Sequence, residues 1–142
     1  MRIKYSLKIL LKYVILLYIM KTKTVQYLKI ITWDCIMAYR RKADYILKYK
    51  PDILIVPECE HPDKLKFKSD TPIPKDILWY GNNQNKGLGV FSYSNYKFKL
   101  LNIHNADLKI ILPIAVTGGK IDFTLFAIWA NNPQDRDYNY IG

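Results

Sequence analysis

The chain has 142 residues and a mass of 16.8 kDa, room for about one domain. Half its residues are apolar and 14% aromatic, which excludes intrinsic disorder, and two cysteines are too few for a disulfide-stapled secreted scaffold. The formal charge of +10 is confined to the front: residues 1–50 hold 12 Lys+Arg against 2 Asp+Glu, and residues 51–142 hold 10 of each. A uniform basic coat would indicate non-specific nucleic-acid binding. A basic front end suits a membrane-facing leader, a phosphate-facing surface, or both.

Residues 1–20 have a basic start and a mostly apolar stretch from Ile9 to Met20, interrupted by Lys12. The uninterrupted run is 8 residues, against about 20 for a bilayer-spanning helix. Lys21, Thr22, Lys23 and Thr24 follow, so the small-residue cleavage site of a signal peptide is missing. Residues 1–26 therefore read as a basic apolar leader or as a start set upstream of a true one at Met20. Residues 27–142 read as the domain. A cytoplasmic location is expected, with membrane association through residues 1–20 as the alternative.

Tyr27–Trp33 is a β-branched, apolar strand candidate. Tyr39, Ala43, Ile46 and Leu47 fall on one helical face, and Pro51 ends that helix. Residues 52–57 (DILIVP) form a short apolar run, the pattern of a strand buried on both faces. The unit is β-α-β, with parallel strands and a right-handed crossover. Residues 58–76, with three prolines, read as a long loop. Strand-like runs follow at 77–80, 88–93, 98–104, 109–116 and 121–130, separated by turn residues. The expectation is an α/β domain in which an antiparallel meander joins a β-α-β opening in a mixed sheet. A single helix of about three turns cannot cover six or more strands, so the domain is expected to be truncated or completed by a partner.

Asp34 directly follows the first strand and Glu58 ends the second. Ligands of open α/β sheets bind outside the carboxyl ends of parallel strands. Two carboxylates there repel unless a cation lies between them, and hard oxygen ligands suit Mg²⁺ or Mn²⁺. Two solvated strand-end acids are the alternative. Arg40, Arg41 and Lys42 begin the helix, a run that usually makes a solvated face. Cys35 and Cys59 read as buried thiols, since two Cys alone do not make a zinc site. His61 reads as surface and His104 as structural.

The segments ITWDC (31–35), ILIVPECE (53–60), KGLGVFS (86–92) and FTLFAIWANN (123–132) occur in this order. In that ordered set, the chain from about Leu28 onward resembles the amino-terminal half of the endonuclease/exonuclease/phosphatase superfamily. The resemblance implies a four-layer, DNase-like α/β sandwich and a phosphodiester or phosphoester hydrolase that depends on Mg²⁺ or Mn²⁺. It implies Glu58 as metal ligand. Asp34 takes the place of the family's usual Asn, keeping an oxygen ligand and adding a charge that attracts a cation and repels phosphate. Pro57 replaces a usual Gln. Asn131 and Asn132 match the family's phosphate-contacting Asn, two turn asparagines being the alternative, and Trp129 only packs. In the family the region of Arg40, Arg41 and Lys42 borders the phosphate-binding surface, so the resemblance implies a contact with a nucleic-acid backbone there.

The family's later Asp-x-Asn motif and its Asp-His pair have no counterpart in this chain. The implied function is the amino-terminal part of a nuclease-like hydrolase acting on a phosphoester substrate, nucleic acid included, and inactive without a carboxyl-terminal half. The alternatives are a non-catalytic remnant or binding module that keeps the sheet, and a membrane-surface protein driven by its leader.

Overall fold

The computed structural model describes residues 9–10, 13–21, 27–105, 107 and 111–130, the first two stretches as backbone. Among the described residues, nine strands and one α-helix follow in chain order. Strands β1 (Ile9–Leu10), β2 (Tyr13–Lys21) and β3 (Tyr27–Trp33) precede helix α1 (Tyr39–Leu47). Then come β4 (Ile53–Cys59), β5 (Asp76–Asn83), β6 (Lys86–Ser92), β7 (Lys97–Leu100), β8 (Ile111–Thr117) and β9 (Phe123–Ile128). The fold is α/β, built mostly of strands in one mixed and one antiparallel sheet.

The β-α-β opening is present: β3 and β4 are parallel neighbours, with Ile31 opposite Leu54 and Thr32 opposite Ile55. Every residue of β4 is buried, as its unbroken apolar run requires of a strand covered on both faces. Its side chains alternate between two cores. Ile53 and Ile55 join Leu28, Ile30, Leu88 and Val90 against Leu112, Ile114, Val116 and Ala127 of the second sheet. Leu54 and Val56 join Ile31, Trp33 and Phe91 against Tyr39, Ala43, Ile46 and Leu47 of α1.

The strands after the long loop do not form one meander. The six-stranded sheet has the order β1-β2-β3-β4-β6-β5, so β4 pairs with β6 and β5 takes the edge. Strands β7, β8 and β9 form a separate antiparallel sheet packed on the first. Strand β7 is shorter than the expected 98–104 and stops at Leu100, after which residues 102–103 turn. The segment read as a leader carries β2, which pairs antiparallel with β3 from Ile15–Trp33 to Lys21–Tyr27.

One helix is supplemented by loop residues. Leu65 and Phe67 pack into the core beneath α1, and the Phe67 ring meets Tyr39 edge-on at 5.7 Å between centroids. Asp44 of α1 holds that loop by accepting from Thr71 Oγ1 at 2.6 Å and Lys68 Nζ at 2.9 Å. The result is three layers: α1 with its loop, the six-stranded sheet, and the three-stranded sheet. Among the described residues no helix covers the outer face of the three-stranded sheet, where Phe126 and Ile128 are exposed. None of the described helices is long and apolar enough to cross a membrane.

Candidate functional site

The site is built at the carboxyl ends of β3 and β4. Proline has no N–H for the ladder, so Pro57 within β4 forces an irregularity. The β4–β6 register shifts between Val56 and Cys59, and Glu58 takes the left-handed conformation, with φ of 57°. A bulge of this kind re-aims a side chain. Here it leaves Glu58 as a whole 1% exposed.

Burial pushes the Glu58 carboxyl above its usual range, and the negative charge of Asp34 adds to the rise. The neighbouring Lys86 ammonium opposes it. The Lys86 ammonium lies 3.1 Å from Glu58 Oε1 and 5.3 Å from the centroid of the Trp129 ring. Lys86 opens β6 and Trp129 follows β9, so both sheets contribute. Sequence reasoning did not single out Lys86. Its only signal was its place at the head of KGLGVFS.

Asp34 begins the connection from β3 to α1, and its Oδ1 accepts from the Ile36 amide at 2.9 Å. Ile36, Met37 and Ala38 all have left-handed backbones, at φ 49°, 61° and 55°. Lys42 reaches back to brace this loop, donating to Cys35 O at 2.7 Å and Ile36 O at 3.3 Å. Its charge also favours ionised Glu58. The two predicted metal ligands therefore share one electrostatic environment.

The run Arg40–Lys42 divides its labour. Arg40 forms an ion pair with Glu60, whose side chain is 5% exposed. Glu60 Oε2 also accepts from the Tyr39 amide at 2.9 Å, closing the first turn of α1, for which Ala38 has no side-chain cap. A carboxylate here satisfies an orphan amide and matches the helix dipole. Arg40 is thus engaged inside the fold, and Arg41 is the exposed arginine. The importance of Glu60 was legible only as a second acid in ECE.

Asn131 and Asn132 lie outside the described residues. His61 caps a 3₁₀ turn (Pro62–Lys64), its Nδ1 accepting from the Asp63 amide at 3.3 Å, and its ring meets Trp79 edge-on. An Nδ1 used as acceptor cannot donate to the nearby Asp63 carboxylate, so this pair does not orient a general base. His104 packs edge-on against Tyr80, and its Nε2 is buried with no hydrogen-bond partner among the described residues.

The donor set suits a hard, largely hydrated cation. Mg²⁺ accepts one or two carboxylates and keeps the rest of its water. Buried Glu58, in the field of a second carboxylate, is such a donor. Cys35 and Cys59 are buried free thiols, burial pushing Cys35 up to about 12 and Cys59 higher. Among the described residues no group of three or more His, Cys, Asp or Glu is arranged around one point. No protein-family model matches the chain, and no curated protein matches it.

Proposed function

We propose that this chain supplies the metal-binding half of a phosphoester hydrolase of the endonuclease/exonuclease/phosphatase type. Its three layers would then be three of a four-layer sandwich. The observation that carries the reading is Glu58: an acidic residue 1% exposed as a whole, at the carboxyl end of a parallel strand, on a bulge, with its pKa raised in part by Asp34. A buried acid beside a second acid is costly to the fold unless positive charge compensates it; Lys86 supplies one such charge, and a divalent ion would supply more.

In this reading Glu58 and Asp34 hold Mg²⁺ or Mn²⁺. When bound, the ion polarises a phosphoryl oxygen and stabilises the leaving oxygen. Glu58 is placed by the Pro57 bulge and Asp34 by its turn onto Ile36. Trp129 packs beside Lys86. Arg41 is the exposed cation on α1 for a nucleic-acid backbone, and Asn131 or Asn132 would contact phosphate. Neither histidine is placed to activate water, and in this reading a carboxyl-terminal half would supply that group.

Two measurements test the proposal. Mn²⁺ should broaden the amide signals of Cys35 and Cys59 in the full chain but not in Glu58→Gln. The chain alone should not turn over bis-p-nitrophenyl phosphate, and joining it to a matching carboxyl-terminal half should produce Glu58-dependent hydrolysis. Metal-dependent cleavage by the 142-residue chain, lost in His61→Ala or His104→Ala, would replace this reading with a compact site inside the chain.

A further inference from the structure

We propose that Lys86 is the built-in counter-ion of the site: its ammonium occupies the cation seat at Glu58, and a divalent ion binds only by displacing it. The proposal rests on the reading of Glu58 as a metal ligand. Glu58 and Lys86 have side chains 2% and 13% exposed, with 3.1 Å between Oε1 and Nζ. A carboxylate so removed from water needs a positive partner, and in the structure Lys86 provides it.

A divalent ion on the same carboxylate would lie within a few ångströms of that ammonium, and like charges in a poorly screened site repel strongly. Lys86 has somewhere to go. Its Nζ is already 5.3 Å from the centroid of the Trp129 ring, a second seat for a cation. It also stands at the hairpin end of β6, paired with Asn83, beyond the register shift after Tyr80. Its four-carbon stem can therefore swing from the carboxylate to the ring while its backbone stays in the sheet. Metal affinity is then set by a competition within the chain, and the ammonium returns to hold Glu58 ionised whenever the ion leaves.

The test uses the full chain and Mn²⁺ alone, with bound ion measured by electron paramagnetic resonance. Lys86→Met keeps an unbranched stem over Trp129 and removes the charge; Lys86→Arg keeps the charge. Lys86→Met should bind Mn²⁺ at least about tenfold more tightly than the unaltered chain, and Lys86→Arg no more tightly than it. Unchanged or weaker binding by a folded Lys86→Met overturns the proposal while Glu58-dependent binding by the unaltered chain leaves the metal reading intact. No binding by either overturns both. If Lys86→Met does not fold, the unaltered chain still decides: Mg²⁺ should move the ¹⁵Nζ resonance of Lys86. A stationary Lys86 signal while the Glu58 and Cys59 amides shift overturns the displacement.

Discussion

The ammonium of Lys86 stands 3.1 Å from Oε1 of Glu58, and the two meet from opposite directions: Glu58 near the end of β4, Lys86 at the start of its antiparallel neighbour β6. An antiparallel pair brings the end of one strand to the beginning of the next. The same pairing that buries the apolar run of β4 therefore delivers a cation to the acid at its tip. The Pro57 bulge turns that acid out of the ladder.

The Glu60 contact with α1 should carry stability. Glu60→Ala leaves the Tyr39 amide and the Arg40 guanidinium without their acceptor. A loss of about 2 kcal/mol is expected, less than for a fully buried pair because Arg40 is partly exposed. Glu60→Gln should lose less, since it keeps an acceptor for the amide. Urea midpoints of the two variants against the unaltered chain check the order.

The loop between β3 and α1 holds three consecutive non-glycine residues in the left-handed region. Each costs about 1–2 kcal/mol relative to a right-handed residue. Ala38→Gly should relieve one of them and give back part of the gain in unfolded-chain entropy, for a net stabilisation of about 0.5–1 kcal/mol. Ala38→Val should destabilise. Thermal unfolding of both variants measures the sign.

Stability should fall as pH rises above the ordinary glutamate range. Burial, with Asp34 adding to it, raises the Glu58 pKa above 4.5 in the folded chain. Between that value and the raised one, the native state holds its proton more firmly than the unfolded state. The contribution of Glu58 is therefore most favourable below the window and is lost as pH climbs through it. Asp44 is shifted the other way, below 3.8, and acts outside this window. Urea midpoints measured upward from pH 4.5 should decline in the unaltered chain, and the component due to Glu58 should vanish in Glu58→Gln.

The β-α-β opening was legible because its signals are local: a helical face from Tyr39 to Leu47, Pro51 as a stop, and an apolar run over 53–56 that only a doubly covered strand tolerates. Asp34 and Glu58 followed from that topology. The partition of the later strands was not legible, because no local pattern says that β4 pairs with β6 while β5 takes the edge. The short apolar run beginning at Tyr13 carries no period that separates a strand from a leader, and its pairing with β3 is a long-range fact. Lys86 and Glu60 were missed for a related reason. Their roles come from what lies across the sheet or at the helix end, and their sequence neighbours do not reveal it.

The most direct measurement of the central claim is a Mn²⁺ titration followed by amide NMR on the full chain and on Glu58→Gln. The account predicts broadening centred on Asp34, Cys35, Glu58 and Cys59 in the unaltered chain and its loss in the variant. Equal broadening in Glu58→Gln, or none near these residues in either protein, would contradict it.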